Sequence, residues 1–186
     1  MSVHGSARAA SPAARVLLPL LVGAAVSVTL GVYANVHNPS GRAITTLGFS
    51  DVLHMKAWLT SVVAVLALVQ VFSALRIFGH LGAGPTPHWV NVLHRTSGTA
   101  AVVVSLPVAF SCLWSLGFST LNTRTTVHSL LGCLFYGAFV AKILALKLRR
   151  MPGWALPVLG GLVFAVIVGL WLTSALWFFR NVGTGY

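Results

Sequence analysis

Acidic side chains are almost absent from this sequence, and their scarcity limits what kind of protein it can be. Asp51 is the only aspartate or glutamate in 186 residues, and charged residues of both signs make up only 7% of the chain. A soluble domain carries about 25% charged residues. A water-facing surface cannot be built from so few charges, so we expect most of the surface to face lipid.

The basic residues are too scattered for a nucleic-acid-binding site, and the two cysteines are too scattered for a metal site. Twelve lysines and arginines give a formal charge of +11. Nucleic-acid binding needs basic residues clustered on one face, whereas these stand singly at the ends of apolar runs, so no nucleic-acid partner is predicted. Cys112 and Cys133 lie inside apolar runs without metal-ligand spacing. We interpret both as small buried apolar side chains.

Five apolar runs are long enough to cross a bilayer, which takes about 20 residues. The sequence therefore predicts an all-α, polytopic transmembrane helix bundle with five spans, in contact with the lipid bilayer. Residues 1–14 are expected to form a disordered cytoplasmic tail, 15–180 the transmembrane domain and 181–186 a short outer tail. The first run could be a signal peptide, but it exceeds the usual 7–15-residue core, and a retained helix is favoured. The runs cover residues 16–36, 52–78, 90–118, 125–146 and 154–179, with glycine, proline or asparagine at the breaks.

The distribution of basic residues predicts the orientation in the cell membrane. Cytoplasmic ends of spans carry an excess of lysine and arginine. If the N-terminus is cytoplasmic, the cytoplasmic side of the membrane carries six basic residues and the outer side carries three. The inner set is Arg8, Arg15, Arg76, Lys147, Arg149 and Arg150, and the outer set is Arg42, Arg124 and Arg180. Lys56, Arg95 and Lys142 lie within the span ends and do not decide the orientation.

Three histidines lie just inside predicted spans: His54 in the second, His94 in the third and His128 in the fourth. Ionisable residues at membrane depth are costly, so each is a candidate functional residue. A histidine can also simply hydrogen-bond a neighbouring helix, but three in one small bundle favour ligation. The helices that carry His54 and His128 both begin at the outer surface, so these two histidines share a depth. The helix that carries His94 begins at the inner surface, which puts His94 and His128 roughly 20 Å apart in depth at 1.5 Å per residue.

The pairing of His54 with His128 predicts one b-type haem. Imidazole suits iron, and cofactor sites in bundles are built from facing helices. Zinc or copper would need further ligands at that level, where only Asp51 at the edge is available. Arg124, one helical turn before His128 and nearer the surface, is a candidate partner for a haem propionate. His94 is a possible ligand of a second, inner haem.

The placement of these histidines resembles the di-haem cytochrome b membrane families, including ascorbate-reducible cytochromes and ferric reductases. The stretch from Leu93 to Gly98 and residues 125–142 also resemble an uncharacterised bacterial integral membrane family, a domain of unknown function. In the ascorbate-reducible group the second and fourth helices share one haem, and the third and fifth share the other. The resemblance thus implies His54 with His128, and leaves His94 without a partner in the fifth helix. Ferric reductases carry two histidines on each ligand helix, a pair that this chain lacks.

The predicted function is that of a b-type cytochrome-like membrane protein, which carries haem b and transfers electrons across or at the surface of the membrane. It could be the haem-bearing membrane subunit of an oxidoreductase. The sequence contains no nucleotide or flavin domain, which implies a redox partner protein or a small reductant such as quinol or ascorbate. The alternative is a cofactor-free structural or assembly subunit of a membrane complex. A small transporter ranks last, because transporters usually use acidic relay residues or broken helices.

Overall fold

The computed structural model describes residues 12–148 and 151–183, and every regular secondary-structure element within these residues is a helix. The five predicted spans are confirmed, and each is long and apolar enough to cross a membrane. Their ends lie within two residues of the predicted ones, except that α1 begins four residues before its predicted start. The helices are α1 (Pro12–Val36), α2 (Val52–Ile77), α3 (His88–Leu116), α4 (Thr123–Lys147) and α5 (Ala155–Asn181).

The predicted tails lie largely beyond this range. Helix α1 already begins at Pro12, and residues 1–11 of the predicted disordered tail are outside the described residues. The same holds for residues 184–186 at the other end. Arg149 and Arg150, on which the predicted orientation partly depends, are also outside the described residues.

Side-chain caps fix where α2 and α4 begin. Asp51 accepts hydrogen bonds from the backbone N–H groups of Leu53 (2.7 Å) and His54 (2.9 Å). Asn122 accepts one from the Thr125 backbone at 3.0 Å, and the Thr125 hydroxyl is within reach of the Asn122 backbone N–H. The first turn of a helix has no internal partners for its N–H groups, so these caps stabilise each start. They therefore set which residues occupy the first turns of both helices.

The helices form a continuous series of neighbours in the order α1, α4, α5, α2, α3, and the far end of α3 returns to touch α1. The α1–α4 contact is close because glycines face each other: a Cβ on Gly137 would collide with Ser27 and the Gly23 carbonyl oxygen. Small residues at such contacts let helix backbones approach within a membrane. α3 and α4 pack less closely than these neighbours and leave space between their backbones, which the Ser105 and Tyr136 side chains bridge with hydroxyl oxygens 3.0 Å apart.

More than half of the buried apolar side chains are alanines, while many of the large aliphatic ones face outward. Outward-facing apolar side chains suit contact with lipid. Examples on three helices are Leu21 (57% exposed), Val65 (60%) and Val103 (58%). The buried alanines are Ala34, Ala57, Ala67, Ala101, Ala138, Ala141, Ala145, Ala155 and Ala175.

Two helices depart from regular α geometry near the same end of the bundle. The last part of α3, Ser111–Leu116, and a section of α5, Leu172–Leu176, are π-helical. A π-helical turn widens the helix and leaves backbone carbonyls without their usual partners, and such turns often occur at functional sites. Both segments border the space between α3 and α4.

Candidate functional site

A cavity of about 370 Å³ lies between the five helices, toward the end of the bundle at which α2 and α4 begin. Ligand sites for small molecules typically occupy 300–1,000 Å³ and are mostly apolar with a few polar groups. This cavity has that character, with walls from all five helices and from both π-helical segments. Residues 117–119 and 121, in the link from α3 to α4, also line it. The Phe118 backbone N–H donates to the Ala34 carbonyl of α1 at 2.8 Å and holds this link in place.

His128 is the histidine in the cavity wall. Its Nδ1 lies 3.0 Å from the Thr173 hydroxyl oxygen. That hydroxyl lies 2.7 Å from the Gly169 carbonyl, to which it donates its single hydrogen. In the tautomer with the imidazole proton on Nδ1, His128 donates to this hydroxyl and both groups are satisfied. The remaining nitrogen, Nε2, keeps its lone pair, and this is the form in which a histidine binds a metal.

Arg124 lies one turn before His128 and also lines the cavity. Its Nη1 donates to the Thr173 backbone carbonyl at 2.7 Å, within the π-helical segment of α5. Its guanidinium carbon sits 3.9 Å from the centre of the Trp177 ring, a cation–π contact. A guanidinium has five N–H donors, so donors remain for a ligand while the side chain is already held in place.

Lys56 is a cavity residue that the sequence analysis did not single out. It lines the cavity and is only 8% exposed. Thr60, one turn further along α2, is also 8% exposed and lines the same wall. The sequence did carry a signal, because a lysine inside a span is costly and Asp51 is the only acid that could neutralise it.

His54 lies beside the cavity but not in its wall. Its Nδ1 is 2.6 Å from the Asp51 carboxylate, which can only accept, so Nδ1 carries a proton. Its Nε2 is buried and has no hydrogen-bond partner. The ring packs edge-on against Phe178 at a centroid distance of 4.8 Å, and Phe178 lines the cavity. A histidine that donates from Nδ1 to a carboxylate resembles a metal ligand held by its outer partner.

The Asp51 carboxylate is itself held by these contacts. The His54 backbone N–H, the His54 ring and the Leu53 backbone N–H lower the pKa of Asp51 below its usual value, with the His54 backbone bond the largest cause. Hydrogen bonds that favour the charged form have this effect. The only acidic side chain of the protein therefore stays ionised and available to His54.

His94 belongs to a different part of the bundle. Its Nδ1 lies 2.8 Å from the Ser73 hydroxyl of α2, and its backbone carbonyl accepts from the Gln70 amide. Gln70 also donates to the Ser97 hydroxyl at 2.7 Å. His94 is not among the residues that line the cavity and lies between α2 and α3. Of the four candidate residues, the structure brings Arg124 and His128 together at the cavity and places His54 beside it.

Comparison with known proteins gives one match. The model of a family of unknown function, DUF6529, matches residues 16–186. No curated protein and no solved structure matches the chain.

Proposed function

We propose that this protein, which belongs to the DUF6529 family of unknown function, carries haem b in its central cavity and transfers electrons in the membrane. One observation carries the proposal: His128 stands in the wall of a largely apolar cavity, and its Nδ1 lies within hydrogen-bond distance of Thr173, which leaves Nε2 as the nitrogen that would bind iron. Bound haem would supply a one-electron redox centre, while the protein supplies its site and surroundings.

The cavity residues fit haem in three respects. His128 offers an imidazole ligand to iron. Arg124 offers guanidinium donors to a propionate. The ring of His54, whose Nε2 is buried and unpartnered, packs against Phe178, a cavity residue, and would be the second imidazole to hold the iron. Asp51 and Thr173 then serve as the outer partners that fix each imidazole's tautomer and orientation.

The surroundings of the cavity determine how such a centre would exchange electrons. The walls are mostly apolar, and the polarity around a metal centre tunes its potential. The described residues include no soluble domain, so a redox partner protein or a small reductant such as quinol would deliver the electrons. An N-terminus on the cytoplasmic side of the cell membrane completes the proposal, and reporter fusions after residue 150 and at the C-terminus would test it.

Optical spectroscopy of the purified protein tests the proposal. Haem-loaded wild type should show the reduced-minus-oxidised band of a low-spin b-type centre, and His128→Ala should remove it. His54→Ala should remove the band or leave an iron that binds carbon monoxide, since one axial position would open. His80→Ala, which changes an exposed histidine between α2 and α3, is the control and should leave the spectrum unchanged. A band that survives in His128→Ala would refute the site.

A cofactor-free structural subunit is the second candidate. It is favoured by histidine hydrogen bonds that join helices, from His94 to Ser73 between α3 and α2 and from His128 to Thr173 between α4 and α5. Such bonds stabilise membrane bundles by about 0.6 kcal/mol on average. In this case His94→Ala and His128→Ala would each lower the unfolding temperature, and haem added to wild type would give no specific band.

A further inference from the structure

Lys56 is a buried basic side chain that makes no ion pair within the described residues. It is 8% exposed and lines the central cavity. Asp51 is the only acidic side chain in the whole sequence, and its carboxylate is already bonded to the His54 ring and to the start of α2. A charge inside a membrane protein normally pairs with another group or marks a ligand pathway.

Arg124 brings a second cation to the same cavity from a different helix. Lys56 lies on α2 and Arg124 on α4. The contacts of Arg124 with the Thr173 carbonyl and the Trp177 ring hold its guanidinium but do not neutralise it. Two like charges beside one apolar cavity repel each other, and a negatively charged ligand would remove that cost.

We infer that Lys56 and Arg124 together form an anion-binding site for the carboxylates of a ligand whose body is apolar. The lysine ammonium has three donors and the guanidinium five, so each can hold a separate carboxylate. The apolar remainder of the ligand would lie against the aliphatic and aromatic walls. If the ligand is haem, Lys56 of α2 would hold one propionate and Arg124 of α4 the other. In that form the inference rests on the proposed function. A fatty acid has the same chemistry at one end.

Ligands with and without their acid groups test the inference on the full-length protein in phosphatidylcholine nanodiscs. The probes are haemin against its dimethyl ester, and laurate against methyl laurate. Each ester keeps the apolar body and loses the negative charge. Wild type should bind haemin about tenfold or more tightly than the diester, since a hydrogen bond to a charged group contributes at least that factor. This comparison requires no variant to fold.

Three variants assign the preference to Lys56. Lys56→Met should reduce the preference for haemin over its diester by about tenfold, whereas Lys56→Arg should keep it. Lys142→Met is the matched control, because Lys142 lies in α4 beside Gly160 and does not line the cavity. It should keep the wild-type preference. Gel filtration and circular dichroism of each variant confirm that it is folded.

The outcomes separate the inference from the proposed function. If haemin gives a His128-dependent band but Lys56→Met retains the full acid preference, the Lys56 site is wrong while haem binding stands. If haemin gives no band but laurate binds more tightly than its ester in a Lys56-dependent way, the anion site is supported and the haem proposal fails. Equal binding of acids and esters by wild type overturns the inference.

Discussion

Replacing Thr173 with valine isolates one hydrogen bond of the proposed site. The Thr173 hydroxyl oxygen lies 3.0 Å from Nδ1 of His128, while the bond from Arg124 goes to the Thr173 backbone carbonyl and survives the change. Valine has nearly the same shape as threonine. The substitution thus removes the group that fixes the tautomer of His128 and leaves the cation in place.

The expected size of the effect follows from that geometry. Leaving a buried donor unsatisfied costs about 1–3 kcal/mol, and loss of an outer partner of a metal-binding histidine typically lowers metal affinity 10–100-fold. Haem titration followed by absorbance should therefore show a dissociation constant raised about 10–100-fold in Thr173→Val. Thr173→Ser keeps the hydroxyl and should bind as wild type does. The reduction potential should also shift in Thr173→Val, which a purely structural role would not cause.

Thr99→Val is the matched control for this experiment. Thr99 is an exposed threonine of α3 whose hydroxyl donates only to the Arg95 carbonyl of its own helix, at 3.0 Å. Haem affinity should be unchanged. If Thr173→Val binds haem with wild-type affinity and potential while His128→Ala does not bind it, the hydrogen bond from Thr173 does not position the ligand, and that reasoning is wrong.

Two further predictions concern stability. Gly137→Ala should destabilise the protein by about 1–3 kcal/mol, because the new Cβ collides with Ser27 and overpacks the α1–α4 contact; Gly161→Ala, which meets nothing within 4 Å, should be neutral or stabilising in the same thermal unfolding assay. The folded state lowers the pKa of Asp51. The ionised carboxylate therefore stabilises the folded protein above the unfolded-state pKa of about 3.9, and this stabilisation is lost as pH falls through the lower pKa of the folded state. Unfolding temperatures between pH 6 and pH 3 should thus decline more steeply at the acidic end in wild type than in Asp51→Asn, and parallel curves would contradict this.

The five spans were predictable because their signal is local. Each helix is an apolar run of the length that a bilayer requires, bounded by residues such as Asn122 and Gly117 that cap or end helices. The π-helical segments at Ser111–Leu116 and Leu172–Leu176 were not predicted. Their sequences have ordinary helical composition, and a change in backbone hydrogen-bond register leaves no mark on hydropathy.

The depth of the candidate site residues along their helices could be read from the sequence, but the direction in which each one points around its helix could not. His128 and Arg124 are one turn apart, so a single helical face carries both, and both line the cavity. His54 and Lys56 are two residues apart, about 200° around the helix, so at most one of them can point directly at a given space. Packing of α2 against α5 places Lys56 in the wall and His54 against Phe178. Rotation about a helix axis depends on which faces of its neighbours it meets, and no pattern within one span contains that information.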